Sequence, residues 1–207
     1  MSAFGGVWRR ELLVGADGRR DDTTDVCWLQ GPSFYVDLRV PAGPDGAPVE
    51  GFAGRLVEDE GRHRWERLVD LHPPGLHPDV GTLTRQGELL VETGWHEPYV
   101  EHWRRDGDAV ADGWALQLHR TTGRLAVLIR VGDQFGLATS AADGSTGAGT
   151  QIALGRLAGG RWQITASSTP GRAGTSAPTA AGLVGAGWSV VAHEGEPPPS
   201  EITAMLA

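Results

Sequence analysis

Short β-type runs recur along most of the chain, and each is closed by glycine, proline or aspartate. They cover residues 7–14, 25–30, 34–40, 51–57 and 63–71. They continue at residues 80–85, 88–92, 99–105, 114–119, 125–131, 151–157 and 161–166. Between them lie turn sequences such as Gly15-Ala16-Asp17-Gly18, Gln86-Gly87 and Ala158-Gly159-Gly160. Regular short strands joined by turn chemistry predict an all-β domain, a sandwich or a barrel. Many runs interleave polar and apolar residues, which suits the two distinct faces of a barrel wall. No segment keeps a helical period over three turns. The expected fold is therefore a single antiparallel β-barrel of about 10–12 short strands with little helix, spanning residues 1–192. Residues 193–207 form an expected flexible tail. Gly/Ala/Ser/Thr-rich residues 141–150 and 171–187 read as mobile loops.

A chain of 207 residues is long enough to bury a sizeable core. Its formal charge of -8 repels phosphate backbones and anionic lipid, so neither nucleic acid nor a membrane is an expected partner. Lysine is absent, which excludes Schiff-base chemistry and a phosphate-loop lysine. The lone Cys27 can form no intrachain disulfide and lies in the apolar run Val26-Cys27-Trp28-Leu29, where a buried, inert thiol is the default. Residues 1–8 lack the charged and apolar regions of a signal peptide, and a cytoplasmic protein is expected.

Three segments, in order, carry a family resemblance. Gly6-Val7-Trp8 looks like the Gly-x-Trp of calycins. The stretch Trp28-Leu29-Gln30-Gly31-Pro32-Ser33-Phe34-Tyr35-Val36-Asp37-Leu38-Arg39-Val40-Pro41 follows, and then Tyr99-Val100-Glu101-His102-Trp103 with the run at residues 123–135. Together they resemble a lipocalin-like (calycin) family shared by fungi and bacteria and named for a yeast casein-kinase-interacting protein. The similarity spans roughly residues 5–170. It implies a calycin-type barrel with Trp8 plugging one end, and it implies no particular reaction. It also implies an arginine stacked on Trp8, for which Arg161 and Arg172 are the candidates.

Strand alternation puts Tyr35, Asp37 and Arg39 on one face and Phe34, Val36, Leu38 and Val40 on the other. Either the polar trio lines the barrel lumen, or it is a solvated face over an apolar core. Tyr99, Glu101 and Trp103 share a face in the same way, as do Trp65 and Arg67. If these faces converge, Glu101 and Asp37 are the candidate acid/base carboxylates, because burial beside tryptophan raises a carboxyl pKa. Arg39 would anchor a ligand carboxylate. Tyr35, Trp65, Arg67, Tyr99 and Trp103 would complete the ligand-binding wall. The seven histidines show no metal-ligand spacing, and no metal or cofactor is expected. The leading expectation is a barrel that binds a small apolar or amphipathic ligand. A cofactor-independent isomerase, cyclase or hydratase in the same cavity is one alternative. A protein-interaction module with a filled barrel is the other, and a homodimer is compatible with all three.

Overall fold

The structure, a computed structural model, describes residues 4–43, 48–73, 75–107 and 113–195. The first nine strands are β1 (Gly6–Val14), β2 (Arg20–Asp21), β3 (Asp25–Gln30), β4 (Phe34–Val40), β5 (Glu50–Asp59), β6 (Arg62–Asp70), β7 (Val80–Gln86), β8 (Leu89–Gly94) and β9 (Val100–Arg105). All are antiparallel to their neighbours. Strand β1 pairs with β3 on one side and β9 on the other, so β1 and β3 to β9 close an eight-stranded barrel. Strand β2 adds a short flap to the end of β1. Closure pairs the edges of this sheet everywhere but along most of β6 and β7.

Pairing around the ring is uneven. Most neighbours are joined over five or more residues, whereas β6 and β7 pair only at His63–Gly81 and Arg64–Val80. Beyond Arg64, β6 has no ladder with β7, and the Trp65 amide donates instead to the Asp79 carbonyl at 3.0 Å, in the loop ahead of β7.

The remaining strands build a second, open antiparallel sheet. It consists of β10 (Gly113–His119), β11 (Leu125–Val131), β12 (Gln134–Thr139), β13 (Gln151–Ala158), β14 (Arg161–Ser167) and β15 (Ser189–Gly195), in the order β14-β13-β12-β11-β10-β15. One face lies on the outside of the barrel. Phe34, Val36 and Leu38 of β4 share a core there with Val127, Ile129 and Val131 of β11. The other face carries Trp114, Leu128, Phe135 and Trp162.

That second face is covered by the segment expected to be a mobile loop. Residues 180–185 form the helix α1 (Ala180–Gly185), which buries Ala180 and Leu183 beside Trp188. Thr179 caps it, its hydroxyl accepting from the Gly182 amide at 3.1 Å. A six-residue helix is too short to show a period, so its sequence reads as small-residue loop. Strand β15 runs through Gly195, which places His193 and Glu194 in the sheet. The rest of the expected tail, residues 196–207, lies outside the described residues. No helix among the described residues is long and apolar enough to cross a membrane.

Candidate functional site

The second sheet settles which way β4 faces. It covers the apolar side of β4 from outside, so Tyr35, Asp37 and Arg39 turn inward. Asp37 retains 3 % exposure and Tyr35 none. The same alternation brings Trp8 and Arg10 in from β1, Trp28 from β3, Phe52 from β5, and Trp65 and Arg67 from β6. Glu92 enters from β8, and Glu101 and Trp103 from β9.

These residues divide the barrel interior in two. One part is solid aromatic packing. Trp8 stacks on Trp28 with centroids 5.9 Å apart, and Trp65 and Trp103 meet Trp28 edge-on at 6.4 and 5.5 Å. Such pairs add favourable quadrupole contacts to a large burial of apolar area. Two arginines lie over Trp8, Arg105 of the last barrel strand at 4.5 Å from the ring centroid and Arg85 of β7 at 5.5 Å. Neither Arg161, on β14, nor Arg172, in the loop after it, belongs to the barrel. The sequence could not single out Arg105, because it falls in a run of polar residues, Arg104-Arg105-Asp106, that reads as a solvated strand end.

The other part is a cleft of about 550 Å³, open at one mouth of the barrel where β6 and β7 separate. Phe52 and Trp65 line it together with Arg39, Arg67, Glu92, Tyr99 and Glu101. His77 and His96, on the two loops at its rim, stack with centroids 5.4 Å apart.

Charged groups in the interior are tied into two networks. In the first, Arg39 donates from Nε to Asp37 Oδ1 at 2.9 Å and from Nη1 to Glu101 Oε1 at 3.3 Å. Arg10 donates to the same Glu101 oxygen at 2.8 Å and to Asp21 Oδ2 at 2.7 Å. In the second, Arg67 bridges Asp70 at 2.9 Å and Asp79 at 2.5 Å. Arg67 also lies over the Phe52 ring at 3.7 Å, with Arg39 at 5.1 Å from the same ring. Burial pushes the Asp37 carboxyl up, against the pull of Arg39.

Glu92 is ion-paired in neither network and touches the second only through Tyr99. It is 4 % exposed, lines the cleft, and among the described residues forms no ion pair with an arginine. Tyr99 donates to its Oε1 at 2.6 Å and the Trp103 indole to its Oε2 at 3.2 Å. Burial, and then the charge of Glu101, hold its carboxyl well above the usual range, outweighing the Tyr99 hydrogen bond. Tyr99 can stand this close because residue 94 is glycine. A Cβ there would lie 2.4 Å from the Tyr99 ring.

The sequence-derived candidates therefore converge but do not all meet the cleft. Arg39, Trp65, Arg67, Tyr99 and Glu101 line it. Asp37, Tyr35 and Trp103 are buried beneath, and among the described residues the Tyr35 hydroxyl has no hydrogen-bond partner. Asp37 and Glu101 already hold the Arg39 guanidinium, and Glu101 accepts from both Arg10 and Arg39. The carboxyl hydrogen-bonded to a tryptophan is Glu92. Glu92, Phe52 and Asp79 went unrecognised in the sequence. The one usable signal was that Glu92 shares a strand face with Leu90, an interior residue.

No family model matches the chain, and no curated protein matches it. Among solved structures, an uncharacterised protein of Saccharomyces cerevisiae, YLR301w, is similar with a TM-score of 0.65. The match covers 91% of this chain and 98% of that one at 14% sequence identity. At that identity the likeness is one of fold.

Proposed function

We propose that this barrel binds a small amphipathic molecule in its open cleft. The observation that carries the reading is the division of the interior. Four tryptophans fill one part of the barrel. The other part keeps about 550 Å³ open, between an aromatic floor and buried charged side chains. Burying ions costs several kcal/mol each before pairing offsets it, and an apolar core of equal volume is as stable or more so. A barrel serving only as a scaffold gains nothing from four buried carboxyl groups, Asp37, Asp70, Glu92 and Glu101, and the guanidinium groups of Arg10, Arg39 and Arg67 beside them. A concave site with aromatic walls and a few fixed polar groups is the usual form of a small-ligand pocket.

Native mass spectrometry tests this. The protein purified from its own cells is compared with its denatured mass, alongside a variant in which Leu13→Trp fills the cleft mouth. A reproducible excess mass that the variant lacks supports binding. No excess mass, and no cleft-dependent change in fluorescence of the neutral probe N-phenylnaphthylamine, would count against it.

A second reading has its own support. A carboxyl favoured in its protonated form, hydrogen-bonded to a tyrosine and lining a cavity, is the arrangement a general acid requires. Under that reading Glu92 and Tyr99 would deliver a proton to a bound substrate. A bell-shaped rate profile would support it.

A further inference from the structure

We infer that the cleft is selective for a compact organic cation, an ammonium group on an apolar body, held at Glu92 and Asp79 beside Tyr99. This rests on the binding role proposed above and adds the ligand's charge.

The geometry leads there in three steps. First, both arginines lining the cleft are already doubly engaged, Arg39 by Asp37 and Glu101 and Arg67 by Asp70 and Asp79. A carboxylate ligand would have to displace a protein carboxylate from one of them, leaving that group buried and unpaired. Second, the lining contains four carboxyl groups, Asp79, Glu92, Glu97 and Glu101, against two guanidinium groups, and among the described residues Glu92 and Glu97 form no ion pair with an arginine. The imbalance favours positive charge in the space between them. Third, the excess is focused at one place. The Tyr99 hydroxyl lies 2.6 Å from Glu92 Oε1 and 3.5 Å from Asp79 Oδ1, the Asp79 oxygen outside the Arg67 ion pair, so both carboxyls face one point of the wall. Trp65 and the Tyr99 ring are there to cover the ligand's apolar body.

Binding has a proton balance. The groups facing Glu92 are Tyr99 and Glu101 on β9, Asp79 ahead of β7, and Arg39 on β4, with the Trp103 indole behind. An arriving ammonium favours the ionised form of Glu92, whose proton leaves to solvent as the ion pair forms. Affinity for the cation should therefore rise with pH, while the ligand itself stays protonated.

Isothermal titration calorimetry of the full chain with three probes of matched size decides the matter. These are phenethylamine, phenethyl alcohol and hydrocinnamate. The expected result is that the amine binds at least about tenfold more tightly than the acid. Its binding releases protons, seen as a buffer-dependent enthalpy, and tightens from pH 6 to 8. In Glu92→Gln the proton release disappears and the preference for the amine shrinks. Tighter binding of hydrocinnamate, or amine affinity that falls with rising pH, overturns the charge assignment and leaves the binding role standing. Failure of all three probes to bind overturns the binding role and the assignment with it. The comparison among probes needs no variant, so a folding defect in Glu92→Gln does not blunt it.

Discussion

The guanidinium of Arg105 lies 4.5 Å above the Trp8 ring and donates to the Gly5 carbonyl at 2.6 Å. This contact joins the first barrel strand to the last and seals the aromatic part of the barrel. It also explains why a glycine stands two residues before the tryptophan. A Cβ on Gly6 would come within 2.5 Å of Arg105 Nη1, and its φ of +141° disfavours any side chain. Gly6→Ala should cost roughly 1–3 kcal/mol through backbone strain and displacement of Arg105. Trp8→Ala should cost more, roughly 3–5 kcal/mol, because the ring is fully buried. Chemical unfolding measures both. An unchanged midpoint in Trp8→Ala would remove the plug role from this residue.

Arg39→Ala should destabilise the protein. The substitution leaves Asp37 without its cation and takes one of two from Glu101, both carboxylates being buried. Breaking a buried pair costs about 3–5 kcal/mol. Arg39 keeps 20% side-chain exposure, so the loss should fall at the low end of that range. Urea titration gives the value. A wild-type midpoint would show that water replaces the guanidinium without loss.

Leu183→Ala separates a packed segment from a loose one. Leu183 is the apolar residue that α1 sets against the second sheet. Its truncation should cost about 2–5 kcal/mol. A change below about 0.5 kcal/mol, the range of ordinary surface substitutions, would return residues 171–187 to a mobile loop.

The alternation at residues 34–40 already separated the trio Tyr35, Asp37 and Arg39 from its apolar counterpart. It could not orient them, because the sheet that covers Phe34, Val36 and Leu38 comes from residues far along the chain. Strand order carries no such information locally. Glu92 was hidden for a related reason. It ends the run 88–92 next to a hairpin, where an acid normally faces water, and only closure of the barrel places it against Trp103. Strand β12 was passed over because Gly136 interrupts its pattern, and α1 because six small residues are too few for a period. The fold class was thus legible, as were five residues of the cleft wall. The pairing of its charges was not, since that depends on which strands become neighbours across the ring.

Glu92 should make the protein less stable as pH rises. Burial, followed by the charge of Glu101, holds its folded-state pKa well above the ordinary carboxyl range. The folded state therefore keeps the proton that the unfolded chain releases. The contribution is present in full below the unfolded pKa. It is lost progressively as pH climbs from there through the raised folded value. Asp37 is shifted in the same direction, again by burial, and adds to the slope. Thermal unfolding of the wild type and Glu92→Gln across pH 5 to 8 isolates the Glu92 share. The wild type should lose stability over this range, and the variant, which keeps an acceptor for Tyr99 but cannot ionise, should lose less. Parallel curves would mean that Glu92 titrates alike in the folded and unfolded chains. Its isolation from the arginines would then have no consequence for the charge of the cleft.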